Sequence, residues 1–233
     1  MAKLIRTLLV ANRGEIAKRI FKTCKKEGIK TVAIYTSVDS NANYIKEADI
    51  SVLLDGENPI QSHMDSSQII KIAKKFDVDA IHPGYGFLSE NASFAQKCKD
   101  ENILFVGPKP SSIKLMADKD KARILARDLG IPLLPGYENS SEKEVKLLTE
   151  AKKIGFPVLL KASAGGGGKG MRKVFKENEF LNSLREVRRE AKNIFGDNRI
   201  IIEKYVESGR HIEVQILGDN SGNIFHLFER ECT

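Results

Sequence analysis

A run of four glycines, Gly165, Gly166, Gly167 and Gly168, with a fifth at Gly170, stands between two β-prone segments, the first opening at Val158 and the second at residues 171–175. No other stretch leaves the chain so few choices. Glycine adopts positive φ readily and lets backbone approach a ligand with no Cβ in the way. Successive N–H groups in such a loop can face one concavity and cradle phosphate. Lys161 precedes the loop, and Lys169 and Arg172 lie in and after it, so cations flank the free N–H groups.

Three known phosphate loops compete for this stretch. Walker A requires G-x-x-x-x-G-K-[ST], but position 163 is Ser and Lys169 is followed by Gly170. Gly165, Gly167 and Gly170 satisfy G-x-G-x-x-G, yet a dinucleotide fingerprint opens directly into a helix. Here residues 171–175 read as a second strand, and the next helix begins near Asn178. A kinase glycine loop also joins two strands, but its lysine lies on a later strand. The remaining reading is a β-hairpin flap that closes over a nucleotide's phosphates. A flexible linker is the plain alternative, although such linkers are usually mixed with serine and not bounded by apolar strands.

The 233 residues suffice for one large or two modest domains, and 41% hydrophobic with 30% charged residues fits a globular protein. The net charge of +7 is spread over helical faces, as at Lys71, Lys74 and Lys75. No basic block is interleaved with aromatics, which argues against nucleic acid as a partner. Cys24, Cys98 and Cys232 form no C-x-x-C, so neither zinc nor a disulfide framework is expected. Cys24 and Cys98 fall in helical patterns and read as buried thiols. No apolar run approaches the roughly 18 residues of a membrane span, and a strand starts by Leu8, leaving no room for a targeting segment. The expected compartment is the cytoplasm.

Strand signals at residues 7–11, 31–36, 50–54, 80–82 and 103–106 alternate with helical periodicity at 16–28, 66–76 and 91–100. That alternation predicts βαβ units and a mostly parallel, doubly wound α/β sheet. The stretch His82-Pro83-Gly84-Tyr85-Gly86-Phe87-Leu88-Ser89-Glu90-Asn91 leaves the fourth strand, where ligands of open α/β sheets tend to lie. A Pro/Gly turn into a helix capped by Ser89 explains it equally. Residues 111–129 read as one helix, in which Lys119 alone would pass for a solvated lysine. Helix 141–154, the two strands around the glycines, and an amphipathic helix carrying Phe180, Leu184, Val187 and Ala191 make a small α+β lid. Residues 199–206 form a buried strand, and 211–217 with 224–228 a hairpin. With nothing to cover that hairpin, the chain reads as stopping inside a domain.

Assembled, these stretches resemble biotin carboxylase, an ATP-grasp ligase. The matching residues are 11–17, the ten from His82 to Asn91, Met116 to Lys119, Lys161 to Arg172, Glu203 to Val206, Arg210 to Gln215, and Glu229 to Cys232. The resemblance implies an N-terminal α/β (pre-ATP-grasp) domain at 1–110, a connecting helix at 111–134, an ATP-grasp lid at 135–203, and the first hairpin of the large lobe, truncated, at 204–233. It implies that Lys119 and Lys161 hold ATP phosphates and that Gly167 and Gly168 cover them. The segment Glu203-Lys204-Tyr205-Val206 would bind adenine, with backbone groups of Lys204 and Val206 facing the base edge and Glu203 its amino group. His211 would contact ribose or phosphate. The implied chemistry uses ATP, Mg²⁺ and bicarbonate to carboxylate biotin on a biotin carboxyl carrier protein, with a carboxyltransferase as further partner and a homodimer as the assembly.

The family's metal-binding glutamates and its bicarbonate-binding arginine match nothing in these 233 residues. The sequence therefore assigns no catalytic and no metal-ligating residue here, and expects weak ATP binding without turnover. A non-catalytic nucleotide-binding or subunit-interaction module, and another ATP-grasp ligase, are the competing readings.

Overall fold

The computed structural model describes residues 4–56, 58–138, 143–164, 169–219 and 221–233. Gly167 and Gly168 lie outside the described residues. The chain divides into two units, Met1–Lys114 and Leu115–Thr233.

In the first unit, β1 (Thr7–Val10), β2 (Lys30–Tyr35), β3 (Ile50–Leu53), β4 (Ala80–His82) and β5 (Leu104–Phe105) form one sheet in the order β3-β2-β1-β4-β5. Every pairing in it is parallel. Alternate residues of β1 explain why the sheet is covered twice. Leu8 and Val10 pack with Ile16, Ile20, Phe21 and Cys24 of α1 (Gly14–Lys26). Leu9 packs on the other side with Ile69 and Ala73 of α4 (Ser66–Lys75) and Phe94 and Cys98 of α5 (Ala92–Asp100). This is the doubly wound arrangement that continuous apolar strands require. Cys24 and Cys98 are buried as expected, and burial pushes the Cys98 thiol up to about 12. Two short helices, α2 (Asn43–Glu47) and α3 (Pro59–Met64), were not read from the sequence.

The His82 to Asn91 stretch is a packed corner. Asn12, just past β1, donates its amide to the carbonyls of Pro83 at 2.8 Å and Tyr85 at 2.7 Å. Gly84 has φ +64, and a Cβ there would lie 2.7 Å from the Asn12 amide nitrogen. Glycine is required for both reasons. The helix that follows is capped by Asn91, whose side chain accepts from the Phe94 N–H at 2.9 Å, and not by Ser89. The Ser89 N–H instead closes a turn onto Gly86.

Helix α6 (Pro110–Ala117) and helix α7 (Lys119–Asp128) replace the single helix expected over 111–129. The break falls at Asp118, whose carboxylate caps α7 by accepting from the Lys121 N–H; a cap of this kind starts a new helix. The second unit then runs through β6 (Gly136–Tyr137), α8 (Glu144–Ile154), β7 (Val158–Ala162), β8 (Met171–Val174), α9 (Phe180–Phe195) and β9 (Ile200–Lys204). Its antiparallel sheet has the order β6-β9-β7-β8. Val158 and Leu160 of β7, with Ile200 and Ile202 of β9, face Leu147 and Ala151 of α8 and Phe180, Leu184, Val187 and Ala191 of α9. Lys161 and Glu203 fall on the opposite face, as a period of two demands. The hairpin of β10 (Ile212–Gly218) and β11 (Ile224–Glu231) is exposed along both strands.

Candidate functional site

Strands β7 and β9 pair with Leu159 opposite Glu203 and Lys161 opposite Ile201. Lys161 and Glu203 are therefore diagonal neighbours on the face away from the core, within reach of long side chains. They form an ion pair through Lys161 Nζ and Glu203 Oε2. A third partner comes from α7: Arg123 donates from Nη1 to Glu203 Oε1 at 2.7 Å and from Nε to Glu138 Oε1 at 2.7 Å. Arg127 donates to the same Glu138 oxygen at 2.5 Å. Burial alone would raise the Glu138 carboxyl, but the two guanidinium groups outweigh it and hold it below its ordinary range. Nearby, Arg199 binds Asp197 at 2.7 Å and Asp120 at 3.2 Å. Burial pushes the Asp120 carboxyl above its ordinary range.

The backbone after Glu203 has an irregularity that suits a ligand edge. The Lys204 N–H donates to the Pro135 carbonyl at 2.8 Å. In the register that sets Gly136 against Glu203, the residue facing Lys204 is Pro135, which has no N–H to return. The Lys204 carbonyl thus lacks the reciprocal bond of a regular ladder. Its side chain is turned elsewhere, with Nζ donating to the carbonyls of Gly155 at 2.9 Å and Phe156 at 3.0 Å, past the end of α8. Tyr205 uses its N–H on the Pro157 carbonyl at 3.0 Å, and its ring lies under Lys173 and edge-on to Phe175. Val206 is exposed.

Lys119 opens α7 four residues before Arg123, so the two share one face of that helix. At the base of the glycine loop, Gly170 has φ +65, accepts from the Ala162 N–H at 2.8 Å and donates to Glu190 at 3.2 Å. Lys169 is exposed. His211 stands at the foot of the hairpin, where its N–H donates to Thr233 Oγ1 at 3.0 Å and its ring lies 3.9 Å from Glu213. The structure thus gathers Lys161 and Glu203 beside Lys204, Tyr205 and Val206, and places Lys119 and His211 on separate elements. Arg123, Glu138 and the Asp120–Arg199 pair were not singled out from the sequence. A cavity of 570 Å³ lies in the first unit between α4 and α5. It is an open groove in which Lys74 is paired with Glu101 and Lys97 with Ser66 and Ser67, and no expected site residue lines it.

Residues 4–113 match the family described as biotin carboxylase, N-terminal domain. Residues 118–233 match carbamoyl-phosphate synthase L chain, ATP binding domain. Biotin carboxylase 1 of Bacillus subtilis is 44% identical over 230 residues, covering 99% of this chain and 51% of that protein. The chain belongs to the biotin carboxylase family. Subunit alpha of the mitochondrial methylcrotonoyl-CoA carboxylase of Oryza sativa subsp. japonica is 47% identical over 230 residues, 98% of this chain and 31% of that protein. The biotin carboxylase domain dimer of the Hydrogenobacter thermophilus 2-oxoglutarate carboxylase, in complex with MgADP, ADP and bicarbonate, matches with a TM-score of 0.93 at 42% identity. That match covers 99% of this chain and 51% of the other.

The chain thus spans about half the length of the biotin carboxylase it matches and about a third of the longer carboxylase subunit. Biotin carboxylases are ATP- and Mg²⁺-dependent ligases, and the α/β architecture described above is that of their ATP-grasp structures. Among the described residues no three His, Cys, Asp or Glu side chains converge as a metal-binding set. Among the described residues no helix is long and apolar enough to cross a membrane.

Proposed function

We propose that the second unit binds ATP and forms the nucleotide-holding part of a biotin carboxylase, which activates bicarbonate and carboxylates biotin on a carrier protein. The observation that carries this reading is the pairing of Lys161 with Glu203, next to a Lys204 carbonyl that faces a proline. Lys161 leads into the glycine run and offers a cation to phosphate through charge-assisted hydrogen bonds. The Lys204 carbonyl and the Glu203 carboxylate are acceptors suited to the amino group of adenine, and Val206 supplies the next backbone N–H. Lys119 is proposed as a second phosphate lysine, Gly167 and Gly168 as the N–H groups over the phosphates, and His211 as a ribose- or phosphate-side contact. The magnesium-bound relative and its dimeric assembly support MgATP as the ligand and a homodimer as the assembly. A biotin carboxyl carrier protein and a carboxyltransferase are the partners proposed by family.

Phosphoryl transfer of this class depends on positioning and charge neutralisation. The 233 residues alone are expected to bind nucleotide weakly and to show no bicarbonate-dependent turnover, because the family's metal and bicarbonate ligands match nothing within them. Calorimetric titration with MgATP tests the first half, and saturable heat is the expected outcome. No binding at millimolar MgATP overturns the reading. A phosphate-release assay with bicarbonate and free biotin tests the second half; bicarbonate-stimulated turnover above a Lys161→Ala control contradicts it.

A further inference from the structure

A phosphate that takes Lys161 competes for it with Glu203. That carboxylate is shielded, with its side chain 11% exposed against 25% for Lys161. A shielded carboxylate stripped of its cation is strongly unfavourable. The structure holds a second cation on it. Arg123, also 11% exposed, bonds Glu203 Oε1 while Lys161 takes Oε2. Its other two nitrogens are engaged as well, Nε with Glu138 and Nη2 with the Leu134 carbonyl at 2.8 Å. Gly136, opposite Glu203 in the β6–β9 pairing, makes room for this guanidinium. A Cβ there would lie 2.6 Å from Arg123 Nη2 and 2.9 Å from the Ile202 carbonyl oxygen.

We propose that Arg123 is a positioning residue for nucleotide binding, which holds Glu203 in place and compensates its charge so that Lys161 can exchange the carboxylate for a phosphate. The proposal rests on the nucleotide reading given above. With Arg123 on Oε1, departure of Lys161 leaves Glu203 still paired and opens Oε2 to another donor, for which the amino group of adenine is suited. Without Arg123, Glu203 would keep only Lys161 of the two cations the structure sets on it, and an incoming anion would compete for that one. An arginine does this better than a lysine, because its planar fork is always charged and can hold Glu203, Glu138 and Leu134 together.

The test uses the 233-residue chain with ATP, GTP and inorganic tripolyphosphate as probes, titrated against wild type, Arg123→Lys, Arg123→Met and the double variant Arg123→Met/Glu203→Gln. Arg123→Met should weaken both ATP and tripolyphosphate by about tenfold or more, the scale of one charge-assisted bond. Arg123→Lys should retain the fold and lose most of the preference for ATP over GTP. In the double variant the carboxylate charge is gone, so tripolyphosphate binding should recover while the preference for ATP does not. A merely structural role for Arg123 predicts no such recovery. Arg123→Met binding tripolyphosphate as wild type does overturns the proposal; should that variant fail to fold, an unchanged ATP preference in Arg123→Lys overturns it. If wild type binds none of the three probes, the nucleotide reading fails and this proposal with it. If wild type binds and the variants match it, only the role of Arg123 falls.

Discussion

Replacing Lys161 by alanine isolates the phosphate contact from the rest of the site. A hydrogen bond to a charged group contributes about 1.5–3 kcal/mol, which is roughly 10- to 150-fold in affinity. Two features of the structure place the loss toward the lower end. Glu203 keeps Arg123 at 2.7 Å when Lys161 is gone, so the carboxylate is not abandoned and the sheet should remain folded. The empty site also no longer contains a Lys161–Glu203 pair that ATP must break. A loss of about tenfold is therefore expected for Lys161→Ala. Lys169 is exposed, and an exposed charge contact is worth about 0–1 kcal/mol, so Lys169→Ala should cost at most about fivefold. Calorimetric titration of both variants with MgATP, with thermal unfolding as the folding control, gives the comparison. Equal losses, or a larger loss for Lys169→Ala, would refute the assignment of Lys161 as the principal phosphate lysine.

Leu184, fully buried between α9 and the second sheet, should cost about 2–5 kcal/mol when truncated to alanine; urea unfolding followed by circular dichroism measures it, and a change below about 1 kcal/mol would show the core misassigned. Gly136→Ala should destabilise the second unit by about 1–3 kcal/mol through its clash with Arg123 and Ile202, read in the same assay. Burial pulls the imidazoles of His63 and His82 below their ordinary 6.5. The unfolded chain then takes up protons that the folded chain refuses, so stability is full above pH 6.5 and declines as pH falls toward the folded values. Urea midpoints for the first unit should drop from pH 7 to pH 5, and His63→Gln should flatten that slope; a midpoint that rises on acidification would contradict the sign.

The parts of the fold that were legible in the sequence are those that repeat. Leu8, Leu9 and Val10 announce a strand buried on both faces, and the spacing of Ile16, Ile20 and Cys24 announces the helix laid over it. Ile200, Ile201 and Ile202 announce a buried strand, but that Lys161 and Glu203 share a face follows only from the register in which β7 pairs with β9. What was not legible depends on single residues or on distant partners. The break at Asp118 is one capping side chain inside an otherwise continuous helical pattern. Asn91, not Ser89, starts α5, because the N–H groups of Ser89 and Asn91 are spent in turns onto the carbonyls of Gly86 and Leu88. Gly136 and Tyr137 form a strand only because β9 pairs with them, and two residues carry no period. Arg123 sits on an ordinary amphipathic helix; its partner Glu203 lies 80 residues further along the chain, and no local pattern links them.

The proposed site sets an adenine nucleotide against β7 and the segment after β9, with its base at Lys204 to Val206 and its phosphates at Lys161. Amide shift mapping of the isotope-labelled chain during titration with MgATP tests this most directly. Saturable shifts are expected at Lys161, Lys204, Tyr205 and Val206, with smaller changes at Arg123 through its bond to Glu203, and silent amides at Leu9, Val32 and Ile34 in the first sheet. Shifts confined to the first unit, or a silent Lys204 to Val206 segment in a chain that does bind MgATP, would contradict it.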